Sequence, residues 1–251
     1  MNTEPDGGVA VVTGAARNIG RAIALELAAA GNAVIVNARS SADEAAEVVR
    51  AIEAAGGRAA MHLADVSEPR GAQDLMTAAI RHFGRIDILV NNAAVRREVP
   101  FAELDFTQWR EVMSVILDGA YLCAHAALPY LRQSKAGAIV NIGGMSAHAG
   151  SAGRAHVIAA KAGLVGLTRA LAHDLGADGI TVNCVVPGLI DTVRGRSAGT
   201  GAPAHHAGRT TLLGRRGHAD EVASLVQFLC GPKARYVTGQ AIHANGGAFL
   251  G

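Results

Sequence analysis

The chain has 251 residues, of which 50% are hydrophobic and 18% charged, with a formal net charge of +2. That composition excludes a disordered chain. With no Lys/Arg block and only 4% aromatics it also argues against a nucleic-acid surface. The length suits one α/β domain. Cys123, Cys184 and Cys230 lie far apart, with no C-x-x-C spacing, and read as small buried residues of a reducing compartment. No apolar run reaches the ~18 residues that span a membrane. The opening MNTEPDGG is polar and acidic, unlike a secretion signal, so the expectation is a soluble cytoplasmic protein.

In chain order, residues 9–12 (VAVV) predict a buried strand. They run into Thr13-Gly14-Ala15-Ala16-Arg17-Asn18-Ile19-Gly20 and then a helix over 19–30. A strand, a glycine-rich turn and a helix start together form an anion site, because free N–H groups and the positive helix end face the bound group. Gly14 serves the tight turn and Gly20 close helix–strand packing. Asn18 stands where a middle glycine is common, and asparagine tolerates left-handed backbone better than other non-glycine residues. Taken alone, the segment also reads as an ordinary tight turn.

Further strands are predicted at 33–37, 59–62, 86–91, 138–142, 181–186 and 240–244. Further helices are predicted at 42–55, 70–83, 107–131, 154–175 and 220–229. Ser40 or Ser41 caps the second helix in this reading, with Glu44 completing a capping box. Thr107 caps the fourth. Gly31, Gly56 and Gly176 follow helix ends, where glycine accepts positive φ. The segment 195–208 (GRSAGTGAPAHHAG) reads as part of a loop, 192–216, over a ligand cleft. Regular strand–helix alternation predicts right-handed crossovers and a Rossmann-like, doubly wound, seven-stranded parallel sheet with helices on both faces. A single domain over 1–251 is expected.

These segments, in this order, resemble the short-chain dehydrogenase/reductase family, in a form like the 3-oxoacyl-acyl-carrier-protein reductases. The turn from Thr13 to Gly20 resembles the family's TGxxxGxG. Asp65-Val66 resembles its adenine contact, and Asn91-Asn92-Ala93-Ala94 its NNAG segment. Lys161-Ala162-Gly163 resembles the end of YxASKAG, and Asn183 to Pro187-Gly188 the N-x-x-x-P-G segment. The tail matches at Gly239-Gln240 and Asn245-Gly246-Gly247. The resemblance implies a nicotinamide cofactor held by Gly14, Arg17, Asn18, Ile19, Gly20, Asp65, Val66, Asn91, Ala93, Lys161, Pro187, Gly188, Ile190 and Thr192. It also implies a homotetramer or homodimer joined through the helices at 107–131 and 154–175.

In the family an acid at the position of Ala38 would hold the ribose diol of NAD. Here Arg39 follows instead, with Arg17 nearby and Ser40 and Ser41 as further donors. Guanidinium suits a 2′-phosphate, so NADP is expected, with NAD as the alternative.

The family's chemistry uses Asn, Ser, Tyr and Lys. Lys161 is present. The tyrosine position, one turn before it, is Val157, the serine position is Gly144, and the asparagine position is Ile116. A positioned general acid contributes roughly 10²–10⁴ in rate, so its loss demands a substitute or a different reaction. Arg154 lies on the helix face of Val157 and Lys161 and could hold an oxyanion or carboxylate. His156 and His148 are acid–base candidates by residue type, and Ser146 could stand in for the lost hydroxyl. Loss of the tyrosine and serine side chains predicts an enlarged pocket. Arg96 and Arg97, with Arg154 and Arg194, would favour an anionic small-molecule substrate. The pair His205-His206 reads as solvated loop, and no metal-ligand spacing is present. Three readings stand at this point: a remodelled oxidoreductase, a non-redox enzyme using the same pocket, or a catalytically silent cofactor-binding subunit.

Overall fold

The computed structural model describes residues 7–192 and 210–251. Seven parallel strands form one sheet in the order β3-β2-β1-β4-β5-β6-β7. They are β1 (Val9–Val12), β2 (Ala33–Ala38), β3 (Arg58–Leu63), β4 (Ile88–Asn91), β5 (Ala138–Ile142), β6 (Thr181–Pro187) and β7 (Ala241–Ala244). The chain winds outward from β1 to β3 and then returns to place β4 on the other side of β1. The strand order thus reverses between β1 and β4, and crevice ligands bind outside the carboxyl ends of strands at such a point. The five inner strands are buried throughout, whereas β3 and β7 at the edges are partly exposed.

Helices α1 (Asn18–Ala29), α2 (Ala42–Ala54), α3 (Pro69–Phe83), α4 (Phe106–Met113), α5 (Gly119–Leu131), α6 (Ser146–Ala149), α7 (Ala155–Leu175) and α8 (Ala219–Cys230) follow. One apolar core packs α1, α2 and α8 on the sheet through Ile23, Leu27, Ile52 and Val226. A second packs α3, α5 and α7 on the other face through Leu75, Met76, Cys123 and Leu131. The strand and helix positions expected from the sequence are all present, with ends shifted by a residue or two.

Several local expectations are corrected. The helix expected over 107–131 is broken by a π-helical turn at Ser114–Asp118. Its cap is Asp105, whose carboxylate accepts from the Gln108 amide at 2.7 Å while the Gln108 side chain accepts from the Asp105 amide at 3.1 Å. Thr107 already lies inside the helix. Ser41 occupies the cap position of α2 but makes no side-chain cap, because its hydroxyl accepts from the Arg17 guanidinium at 3.0 Å. Gly31 and Gly56 do adopt positive φ, but Gly176 does not. A 3₁₀ turn, Gly176–Asp178, prolongs α7, and Gly179 makes the left-handed exit instead. Two helical stretches, Phe106–Leu131 and Ala155–Asp178, are long and apolar enough to cross a membrane by length and composition, which the sequence reading did not anticipate. Both pack on an open parallel sheet, whose edges a bilayer does not accommodate.

Asp87 ties the opening of the sheet together. Its buried carboxylate accepts from the Val9 amide at 2.8 Å and from Arg85 at 2.7 and 2.8 Å, and Ser134 also donates to it. Burial alone would raise its pKa, but the hydrogen bonds from Arg85, Ser134 and Val9, with the Arg85 charge, hold it below the usual carboxylate value. A depressed carboxylate contributes stability above its unfolded-state pKa and loses it as pH falls toward the folded value. Asp87→Ala should therefore cost about 1–3 kcal/mol at pH 7, since it strands a buried amide. Urea unfolding of both proteins at pH 7 and pH 3 checks this, and the gap between them should narrow at pH 3.

Candidate active site

The turn after β1 is held from two neighbouring strands. The Thr13 hydroxyl accepts from the amides of Asn92 and Ala93 at 2.9 and 3.0 Å and donates to the Val90 carbonyl. The Asn92 side chain donates to the carbonyls of Thr13 and Gly14 at 2.9 and 3.0 Å. From β2, the Asn37 side chain accepts from the Gly14 amide at 3.2 Å and donates to His62 and Ala64. Gly14 has φ +61° and Asn18 φ +51°, the left-handed backbone expected of each. A Cβ on Gly20 would lie 2.3 Å from the Gly14 carbonyl oxygen and 2.5 Å from Asn92 Nδ2. The turn therefore presents backbone to the crevice with no side chain between it and α1, and this is the cradle a pyrophosphate needs.

Beside this cradle, Arg17 stands at the cap position of α1 and Arg39 just past the end of β2. Arg17 reaches Ser41 and lies 3.8 Å from Glu44, and Arg39 lies 4.0 Å from Asp65. Both are half-exposed, and Ser40 is exposed next to them. Asp65 also accepts from the Ser67 amide and hydroxyl, which fixes the turn into α3 and seats Val66 in the core. Asn91 was expected to face a cofactor, but its side chain is buried elsewhere. It donates to Asn141 at 2.9 Å, and Asn141 donates to Thr168 on α7 at 2.9 Å. Gly188 packs so closely on Asn245 that a Cβ would sit 2.6 Å from it. Pro187 ends β6, and Ile190 and Thr192 follow it in the chain. The segment 193–209, including Arg194 and His205-His206, lies outside the described residues.

Lys161 reaches the end of β5, where its ammonium donates to the Ile142 carbonyl. Burial first, then the charges of Arg96 and Arg154, pull its pKa down to about 7, against an opposing influence from Cys184. Arg154, also buried, donates to the Ser146 hydroxyl at 3.0 Å, so these two candidates meet. Val157 and Ile116 pack into one apolar cluster with Val95, Val112 and Leu164, and are 3% and 2% exposed. The expected enlargement is therefore not at Val157. It is at Gly144, where an added Cβ would meet nothing within 4 Å.

The two histidines lie apart from this arrangement. His156 is 0% exposed, and neither ring nitrogen has a partner among the described residues. Burial and the charges of Arg154 and Arg97 lower its pKa. The His148 ring packs 4.5 Å from His243 and 5.9 Å from Phe249, and burial lowers its pKa as well. Arg97 is engaged by Glu111 in a paired contact at 2.7 and 3.1 Å, which removes it from the expected substrate contacts.

Comparison with known proteins matches this geometry to a lineage. A family model described as Enoyl-(Acyl carrier protein) reductase matches residues 14–248. The chain is 37% identical over 245 residues to the 3-oxoacyl-[acyl-carrier-protein] reductase FabG of Staphylococcus aureus, covering 96% of this chain and 98% of that one. It is 38% identical over 243 residues to the 3-oxoacyl-[acyl-carrier-protein] reductase of Synechocystis, covering 96% and 97%. A short chain dehydrogenase from Burkholderia cenocepacia, solved in complex with NADP, superposes with a TM-score of 0.90 at 36% identity, covering 98% and 99%. A dehydrogenase/reductase from Sinorhizobium meliloti gives 0.91 at 35%, covering 98% and 97%.

The chain belongs to the short-chain dehydrogenase/reductase family. Within this family member the side chains that brace the turn, a role the sequence motifs do not show, are those of Thr13, Asn37 and Asn92. Their signal was a polar residue at the end of an apolar strand, where a buried amide side chain must find partners.

Two glycines give opposite expectations for one substitution. Gly20→Ala should cost about 1–3 kcal/mol, because backbone on one side and a locked amide on the other cannot yield. Gly144→Ala should stay within about 0.5 kcal/mol, as substitutions away from tight contacts do. Thermal unfolding of the two variants beside the parent protein measures both.

Proposed function

We propose that this protein is an NADP(H)-dependent oxidoreductase acting on a small carbonyl or alcohol substrate. In this reading Val157, Gly144 and Ile116 replace the tyrosine, serine and asparagine of the family's usual active site. The observation that carries it is the backbone cradle from Gly14 to Gly20 flanked by Arg17 and Arg39, with Ala38 where an acid would select NAD. The NADP bound to the Burkholderia relative supports the same cofactor here. Gly14, Asn18, Ile19 and Gly20 would receive the pyrophosphate, and Arg17, Arg39 and Ser40 the 2′-phosphate. Asp65 and Val66 would flank the adenine. Ala93, Lys161, Pro187, Gly188, Ile190 and Thr192, with the Asn91 backbone, would border the nicotinamide half. Bound there, the cofactor supplies hydride chemistry at its nicotinamide ring.

The protein's own groups set what reaches that ring. Lys161 offers ammonium donors at the end of β5, and Arg154, oriented on Ser146, offers a fixed planar cation to an anionic substrate group. Arg96 adds positive charge to the same end of the sheet. The packing of Val157 and Ile116 excludes water from the face beside them. A catalytically silent cofactor-binding subunit is the second reading, favoured by the sealing of those two positions in an apolar cluster. Consumption of NADPH with a panel of aldehydes, ketones, diketones and 3-oxoacyl thioesters separates the two. The free, buried state of Cys123, Cys184 and Cys230 suits a cytoplasmic location.

Arg39→Ala should weaken NADP binding roughly tenfold or more, the scale of one charge-assisted contact, and leave NAD binding unchanged. Fluorescence titration with both cofactors checks the ratio. Tighter binding of NAD by the parent protein overturns the assignment.

A second copy of this chain would cover the outer faces of the helices at Phe106–Leu131 and Ala155–Asp178, of whose most apolar stretches 39% is buried. An open groove there is lined by Leu117, Tyr121, Leu122 and Leu167. The expected assembly is a homodimer or homotetramer. Light scattering should give a multiple of 25.6 kDa, and Tyr121→Glu should shift it toward the monomer.

A further inference from the structure

We propose that Arg96 is a carboxylate receptor and that the substrate is a small free oxo acid, its carbonyl at the nicotinamide and its carboxylate on Arg96 with Arg154 beside it. The proposal rests on the oxidoreductase reading above and names a substrate class for it.

The cluster that carries it is built by the segments that follow β4 and β5. After β4, Val95 packs into the apolar cluster with Val157 and Leu164, and Arg97 pairs with Glu111 on α4. Arg96, between them, shares neither contact. The same segment is tied to the approach to α7, where the Val99 amide donates to the Gly153 carbonyl at 2.8 Å. Arg154 comes next in the chain and donates to the Ser146 hydroxyl at 3.0 Å, two residues past the open space at Gly144. Two hydrogen bonds therefore gather the segments that bear Arg96, Arg154 and Gly144 at the carboxyl ends of β4 and β5. Lys161, which the proposed reading gives to the nicotinamide half of the cofactor, reaches the same place through the Ile142 carbonyl.

Arg96 is exposed to solvent, yet protein surrounds it closely enough that desolvation depresses its pKa. A side chain both open and enclosed stands in a cleft and not on a convex surface. Among the described residues it has no hydrogen bond and no ion pair. Glu98, two residues on, is not among the groups that act on it. Its own charge acts on Lys161, as does that of Arg154, so the groups gathered here are cations. The segment 193–209 contains three arginines and no Asp or Glu, so its composition supplies no carboxylate.

A guanidinium keeps its charge at any physiological pH. Desolvating one without an anion is unfavourable, and an entering anion offsets that penalty with charge-assisted hydrogen bonds. The cofactor's phosphates do not fill this role, because the proposed reading gives them to the turn from Gly14 to Gly20 and to Arg17 and Arg39. An anionic group of the substrate remains. Arg154 is 7% exposed, so the edge it shows is narrow and suits a planar, two-oxygen group better than a tetrahedral phosphate. An acyl group joined to a carrier, as in the names of the Staphylococcus and Synechocystis relatives, has its carboxyl tied up in the link and brings no charge to Arg96.

Matched pairs test this: 2-oxobutanoate with its methyl ester, and 4-oxopentanoate with its methyl ester. Calorimetric titration into protein loaded with NADP⁺, which cannot reduce them, reads binding alone. At least one acid should bind roughly thirtyfold or more tighter than its ester, the scale of one hydrogen bond to a charged group. Arg96→Gln should bring that acid down to the affinity of its ester, and Arg96→Lys should recover part of the difference. Both variants should bind NADP⁺ within about twofold of the parent protein, which shows that fold and cofactor site are intact. With NADPH, the parent should oxidise the cofactor with the acid in preference to the ester, and Arg96→Gln should lose that preference mainly through KM. Equal binding of acid and ester in both pairs, no binding of either acid at millimolar concentration, or acid binding unchanged in Arg96→Gln overturns the proposal. Turnover of the esters, or of 3-oxoacyl thioesters, as efficient as that of the acids also overturns it and leaves the oxidoreductase reading intact. Arg96-dependent binding of an acid without NADPH oxidation by any carbonyl leaves the receptor standing and overturns the oxidoreductase reading.

Discussion

The hydrogen bonds between Thr13 and Asn92 are the constraint on which the candidate site depends. β1 and β4 are neighbours in the sheet but 76 or more positions apart in the chain, as the bond separations of 77 to 80 residues between them show. One hydroxyl accepting two amides, and one carboxamide holding two carbonyls, join the loops at their carboxyl ends. Without these bonds the sheet would still form, because its strands are buried by apolar contacts on both faces. The glycine turn would lose the fixed curvature that aims its backbone outward. The apolar cores thus supply the free energy of folding, and a handful of buried polar contacts decide where the loops point.

The same division appears deeper in the sheet. Asn91, Asn141 and Thr168 form a chain of hydrogen bonds from β4 through β5 to α7, and Thr168 returns to the Leu164 carbonyl. This relay fixes the helix that bears Arg154, Val157 and Lys161 against the strand that ends at Ile142. Lys161 then reaches its carbonyl with no help from a tyrosine. Positive charge collects here through placement: Arg96 follows β4, Arg154 begins α7, and Lys161 comes from the next turn but one. The nearby ion pair of Arg97 with Glu111 is closed on itself.

The architecture was legible because its signals are redundant. Each inner strand is apolar on both faces, each helix carries a stripe toward the sheet, and alternation leaves few topologies. Gly14, Asn18 and Gly20 were legible for a different reason: left-handed backbone and a missing Cβ restrict residue type so strongly that the letters report the geometry. Arg154 and Ser146 meet in a hydrogen bond, and the Arg154 charge acts on Lys161 two turns along the same helix. What the sequence hid depends on distant partners. Ser41 has the right type and spacing to cap α2, yet Arg17, 24 positions away, takes its hydroxyl. Asp105 outcompetes Thr107 as a cap because its carboxylate and Gln108 satisfy each other. His148 and His156 were chosen by residue type, and only packing shows one stacked in an aromatic cluster and the other sealed from solvent. Arg97 looked like a free substrate contact until Glu111, fourteen residues on, was seen to engage both its terminal nitrogens.

On the proposed reading, in which Val157, Gly144 and Ile116 replace a tyrosine, a serine and an asparagine, packing explains how the fold outlasts its usual chemistry. A tyrosine hydroxyl, a serine hydroxyl and an asparagine amide facing a cleft contribute little to folding, because water can satisfy them in the unfolded chain as well. Replacing the first and third with valine and isoleucine lets their positions join Val95, Val112 and Leu164 in an apolar cluster, which adds buried area at roughly 25 cal/mol per Å2. Replacing the second with glycine leaves a gap at the cleft wall, where solvent can enter and no sealed cavity arises. The buried amide relay and the Thr13–Asn92 bonds touch none of these three residues. The sheet, the turn and the place of Lys161 therefore do not depend on the side chains at these three positions.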